Sequence, residues 1–208
     1  MTSMGLGVVL FLALSPLASD LQYAHSYNAD EAPEMSAPKW TSKGSGTTVE
    51  VAEGVLNIQG EGPNTRQFYL VDQASGAWDM TSGLATVEFR LKCTAADPQD
   101  EVFRVQIADG KAMWRVVFYH NRCNGVKVDT DDWDTYRLAI KDGQMQISSE
   151  KQGVIALQSE AVPHEEPPGL IFGTFKNPQS LTSREWSLDF IRWTNEEARM
   201  AESGESGR

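Results

Sequence analysis

Between Trp40 and Thr194 apolar and polar residues alternate with a period of two, the pattern of strands buried on one face. In Thr86–Lys92 (TVEFRLK), Val87, Phe89 and Leu91 take one side while Glu88, Arg90 and Lys92 take the other. Phe103, Val105 and Ile107 alternate in the same way with Arg104, Gln106 and Ala108. Tyr136, Leu138 and Ile140 alternate with Thr135, Arg137, Ala139 and Lys141. That run meets Asp142-Gly143, a two-residue hairpin signal, and returns through Met145 and Ile147. Met113–Tyr119 is apolar on both faces apart from Arg115, as expected of a central strand. Shorter runs at Val55–Ile58, Phe68–Asp72, Val126–Val128, Val154–Leu157, Gly169–Gly173 and Glu185–Trp193 complete the set. No amphipathic helix interrupts them. Many short strands separated by Gly/Asp turns predict an all-β, two-sheet antiparallel sandwich or barrel.

Outside these limits the pattern changes. Met4–Leu14 is an uninterrupted apolar run, too short to span a bilayer, followed by Pro16 and small residues near Ala18. Residues 1–24 therefore fit a secretory signal, although no Lys or Arg occurs before Lys39. The other reading is a disordered leader behind a misplaced start. Residues 25–39 are polar, hold Pro33 and Pro38, and read as a linker; residues 195–208 read as a disordered tail. The working domain is then 40–194. Export would place the protein in the periplasm, at the cell surface or outside the cell, with no membrane insertion once the signal is cleaved. Cys93 and Cys123 would there be free to form a bridge, and two buried thiols are the equal alternative.

Charge narrows the partners. With 29 Asp+Glu against 18 Lys+Arg the chain carries −11, the opposite of what nucleic-acid binding requires. There is no H-x-H, H-E-x-x-H or C-x-x-C, so a transition-metal centre has no support.

Specific residues are familiar. Asp132-Trp133-Asp134-Thr135-Tyr136-Arg137-Leu138 resembles the W-H-x-Y-x-hydrophobic strand of the concanavalin A-like lectin/glucanase superfamily, laminin G-like domains included. Gly169–Gly173 is similar to its late G-x-x-hydrophobic-G segment, and Leu188–Trp193 to its closing strand. The family's His is Asp134 here. The resemblance covers 40–194 and implies a jelly roll of two curved sheets with a repertoire of glycan recognition and glycan hydrolysis. It requires no cofactor, and it allows a structural calcium with Asp189 as ligand. Hydrolases of this kind carry E-x-D-x-E or E-x-D-x-x-E on one strand, and no strand here does.

Two candidate sites follow. The cluster Asp129, Asp131, Asp132 and Asp134 has the oxygen donors of a calcium loop, or is a solvated loop before a strand. Glu88, Arg90, Arg104, Gln106 and Arg115 have the parity to face away from the interior. If their strands adjoin in the concave sheet they form one patch with Trp114, Tyr119 or His120 at its rim, suited to a glycan or glycoprotein. The alternatives are surface ion pairs without a ligand, a hydrolase using carboxylates from separate strands such as Glu88 and Asp189, and a protein-interaction module at the cell surface. Among the tryptophans, Trp133 is expected in the core with Tyr136. Trp186 and Trp193, seven residues apart, are expected to face opposite ways. Trp40 and Trp78 could take either environment.

Overall fold

A computed structural model describes residues 21–158, 161–163, 167–175 and 182–201; residues 1–20 of the expected signal and the His164–Glu166 loop lie outside them. The strands are β1 (His25–Tyr27), β2 (Thr41–Ser45), β3 (Thr47–Ala52), β4 (Val55–Glu61), β5 (Arg66–Asp72), β6 (Ala85–Ala95), β7 (Glu101–Ala108) and β8 (Ala112–Tyr119). They continue as β9 (Arg122–Cys123), β10 (Val126–Lys127), β11 (Asp134–Lys141), β12 (Gln144–Ser149), β13 (Gly153–Gln158), β14 (Val162–Pro163), β15 (Gly169–Thr174) and β16 (Ser183–Thr194).

All pairings are antiparallel. Sheet A runs β13-β12-β11-β6-β16-β4-β3, with β1 also on β16. Sheet B runs β10-β9-β8-β7-β15-β5-β2, with β14 on β8. Hairpin runs within a sheet (β3–β4, β7–β8–β9–β10 and β11–β12–β13) are joined by links that pass from one sheet to the other, in the jelly-roll β-sandwich expected. Gly46, at φ +68°, is the single residue between β2 and β3, so the chain passes there from sheet B to sheet A. Asp142 and Gly143 both have positive φ, and Lys141 faces Gln144 in a two-residue hairpin.

Apolar faces of the two sheets meet in one core. Trp40, Phe89, Phe103, Phe118, Tyr136 and Phe172 are buried in it. Several pack edge to face, including Phe118 on Tyr136 at 4.7 Å and Trp40 on Phe172 at 4.9 Å. Trp186 and Trp193 are both buried, against the expectation of opposite faces. The cause is a bulge between Leu188 and Phe190, where β16 shifts register on β6: the extra residue, Asp189, resets the parity. Trp40 and Trp78 are buried, and so is Trp114, which was expected at a rim. Trp133 is the reverse case. It shares parity with Thr135 and Arg137 and lies half-buried outside sheet A, with Arg90 and Lys92 at 5.2 and 5.3 Å from its ring.

The expected linker is part of the sandwich. β1 extends sheet A where β4 has ended, and Tyr27, Ala29 and Pro33 are buried. Three paired residues are too few to show a period. The expected tail also packs in part: Glu197–Ala201 crosses the outer face of sheet A. Thr86 Oγ1 donates to the Glu197 carbonyl and accepts from the Arg199 amide, while Gln146 bonds both backbone groups of Ala201. Ala139, between Thr86 and Gln146 in the register, leaves room for that crossing. On the same face the Tyr23 ring covers the Arg192 guanidinium at 4.5 Å.

Cys93 and Cys123 are free and buried, so the bridge is not formed. Burial pushes the Cys93 thiol up to about 12 and Cys123 upward as well. Neither is expected to react with an aromatic disulfide reagent in the folded chain, and both should react after unfolding in guanidinium. Fast stoichiometric labelling of the folded protein would contradict this burial.

Candidate functional site

The expected patch is divided between the two outer faces of the sandwich. Glu88 and Arg90 stand outside sheet A, whereas Arg104, Gln106, Arg115 and Tyr119 stand outside sheet B. Parity alone puts a residue outward, but two back-to-back sheets have two outward directions. Trp114 has inward parity and packs in the core, its Nε1–H donating to the Gly143 carbonyl at 3.4 Å. His120 turns to the following loop, with Nδ1 3.4 Å from Asp131.

Outside sheet A the three arginines Arg90, Arg137 and Arg192 are held by carboxylates of the same sheet. Glu88 is buried and accepts from Nε and Nη2 of Arg137 on one oxygen, and from the same two nitrogens of Arg192 on the other. Burial alone would push its carboxyl up; the hydrogen bonds from Arg137 and Arg192 prevail and hold it below the usual range. A general acid must stay protonated near neutrality, which is the opposite condition. Asp189 lies in the β16 bulge and pairs with Arg90 at 2.6 Å. Glu88 and Asp189 therefore do not fit the acid/base pair of a hydrolase.

A calcium ion at Asp189 does not fit either, because the Arg90 guanidinium occupies the carboxylate. Nor does the aspartate cluster converge. Asp132 pairs with Lys151 at 2.9 Å, Asp131 faces His120, and Asp134 is turned in to accept from the Thr135 and Lys151 amides. Among the described residues no group of three or more His, Cys, Asp or Glu could hold a metal.

Sheet B presents a different surface. Register places Lys43, Phe68, Gly173, Arg104 and Val117 in one row across β2, β5, β15, β7 and β8. Gly173 has φ +134° and a Cβ there would stand 2.2 Å from the Gln67 carbonyl, so the row has a bare backbone at its centre. Phe175 closes over that end, stacked on Phe68 at 5.1 Å and covered by the Arg104 guanidinium at 4.4 Å. Glu101 and the Gln106 carbonyl oxygen also accept from Arg104, which fixes its side chain, and Gln106 in turn donates to the Met113 sulfur.

Beyond Arg104 the surface opens into a groove of about 390 Å³ lined by Gln99, Val117, Tyr119, Arg122, Asn124 and Gly125. Tyr119 faces Arg122 across the β8–β9 pair, and its half-buried ring has no aromatic or cationic contact among the described residues. Arg115 is exposed, and its guanidinium makes no hydrogen bond or ion pair among the described residues. Burial of its stem and the neighbouring Arg104 charge pull it down from its ordinary value, with Glu101 opposing. A half-buried ring beside guanidinium and amide donors can pack on the C–H face of a sugar and bond its hydroxyls. Phe68, Phe175, Gln99, Arg122 and Asn124 escaped the sequence reading. Phe68 and Arg122 have outward parity on their strands and were findable; Gln99 and Asn124 sit in turns, where no period exists.

Among the described residues, the exposed large apolar side chains Met35, Val49, Val126, Val154 and Val162 are spread over different elements. They do not build the patch that a protein-docking module needs.

No protein-family model matches the chain, and no curated protein matches it. Solved structures do share the fold. "Crh5 transglycosylase in complex with NAG" has a TM-score of 0.58 at 12% identity, over 85% of this chain and 86% of that one. "Botulinum Neurotoxin Type G Receptor Binding Domain" has 0.53 at 10%, over 86% and 49%. "Sialidase" has 0.52 at 10%, over 74% of this chain and 17% of that one, so the chain spans about a sixth of that protein's length. Identities this low speak for architecture alone.

Proposed function

We propose that this chain is an exported jelly-roll domain that binds a glycan, without cleaving it, on the outer face of sheet B. The observation that carries the reading is the groove beside β8, where the Tyr119 ring, without an aromatic or cationic contact among the described residues, stands in register between Arg122 and Glu101, with Gln99 and Asn124 in the same lining. The apolar run Met4–Leu14 supports export. The fold shared with a transglycosylase in complex with NAG and with a sialidase supports a carbohydrate partner.

The test is a glycan array probed with the full chain, its folding checked by circular dichroism. Tyr119→Ala is expected to weaken each bound glycan roughly tenfold, the loss of one stacked ring. Lys92→Gln, outside sheet A, should leave binding unchanged. A blank array from folded protein, or binding indifferent to Tyr119→Ala, would overturn the reading. Release of reducing ends from a bound glycan would replace it with hydrolysis.

A further inference from the structure

The −11 charge is not spread evenly. Strands of sheet A carry six basic residues (Arg90, Lys92, Arg137, Lys141, Arg184, Arg192) and six acidic ones. Strands of sheet B carry six basic residues, Lys43, Arg66, Arg104, Arg115, Arg122 and Lys127, against Asp72 and Glu101. Both of those acids are engaged: Asp72 accepts from the Ser75 amide, and Glu101 holds Arg104. The other five cations make no ion pair among the described residues; of the six on sheet A, Arg90, Arg137 and Arg192 are paired with carboxylates, while Lys92, Lys141 and Arg184 are not.

Their positions are ordered too. Lys43 and Arg104 lie in the transverse row through Gly173. Arg66 is two residues from Phe68 of that row, Arg115 two from Val117 on one side, and Tyr119 two on the other; Arg122 faces Tyr119, and Lys127 faces Arg122. One basic stripe thus crosses the strands from β2 to β10, roughly 29 Å at the usual strand spacing. Unpaired like charges this close repel one another, and an acidic protein that keeps them together on one face does so at a cost that an anion would relieve.

From this stripe we infer that the glycan is an acidic one, a saccharide chain bearing carboxylates at intervals, laid across the strands of sheet B with the unpaired Arg115 and Arg122 forking onto its carboxylates. Planar guanidinium groups match planar carboxylates two bonds at a time, which favours carboxylate over sulfate. The inference rests on the glycan reading of this face and names its chemical class.

The experiment measures binding of the full chain to oligogalacturonate, oligomannuronate and hyaluronan. Their carboxyl-reduced neutral forms, chondroitin sulfate and single-stranded DNA serve as comparisons. The expected result is binding to at least one uronate, absent for its reduced form and weakened roughly tenfold when salt is raised tenfold. Arg115→Gln and Lys43→Gln should each lower the affinity, Arg115→Gln by about tenfold, while Lys141→Gln on sheet A changes nothing. Equal binding of the reduced forms would overturn the acidic class and leave the glycan reading intact. Preference for chondroitin sulfate over hyaluronan, which bears glucuronate carboxylates at the same interval without sulfate, or for DNA over every uronate, would overturn the carboxylate assignment. Failure to bind any of these probes would overturn it as well. In that case, neutral binders on the array would keep the glycan reading, and a blank array would remove both.

Discussion

Replacing Arg184 with Met is expected to lower the unfolding free energy by about 3–5 kcal/mol, the scale of losing a buried charged group's whole set of partners. Arg184 is 2% exposed, and among the described residues no carboxylate bonds it. Its Nη1 donates to the carbonyls of Glu101 and Phe175, and its Nη2 to those of Gly62 and Thr65, at 3.2–3.4 Å. One side chain from sheet A thus satisfies four backbone acceptors belonging to the β4–β5 turn and to sheet B. Burial pulls the guanidinium below its ordinary value, against the nearby charges of Asp100 and Glu101. Met keeps the stem volume but leaves the carbonyls without donors. Against a typical domain stability of 5–15 kcal/mol the loss should be visible as a large fall in the urea midpoint by tryptophan fluorescence. A loss below about 1 kcal/mol would mean that water replaces the guanidinium at those carbonyls.

Glu88→Gln is expected to cost about 3 kcal/mol at pH 7, because it leaves Arg137 and Arg192 facing each other without the charge between them. The pH dependence has a defined sign. A carboxyl held below its unfolded value contributes stability that is fully present above about pH 4.3 and is lost as pH falls through the folded value. Denaturation at pH 7, 5, 4 and 3 should show the parent chain losing its advantage over the variant across the lowest steps. Parallel curves would show that Glu88 contributes no such linkage.

The sandwich was legible because its central strands have one wet and one dry face, and Thr86–Lys92 or Thr135–Lys141 declare themselves by period. β2 and β3 were not, since Thr-Ser-Lys-Gly-Ser-Gly-Thr-Thr lies at the sheet edges and buries little. The bulge at Asp189 was invisible for another reason: an inserted residue shows only when the partner strand is known. The candidate patch failed at the same level. Glu88, Arg90, Arg104, Gln106 and Arg115 were rightly turned outward, but choosing between two outward faces requires strand order. That order is set by long crossovers such as β6 to β16 and β7 to β15, which leave no local trace.

Residues 21–27 and 195–201 both lie against sheet A, one through β1 and Tyr23, the other through Thr86 and Gln146. Each described end of the chain therefore departs from the side of the sandwich opposite the basic stripe. A tether at either end, whether a fused partner, a bead or a sensor surface, would hold the molecule by its back. Attachment at residue 21 or residue 201 would point sheet B toward the medium and leave the groove beside Tyr119 open to a long polymer.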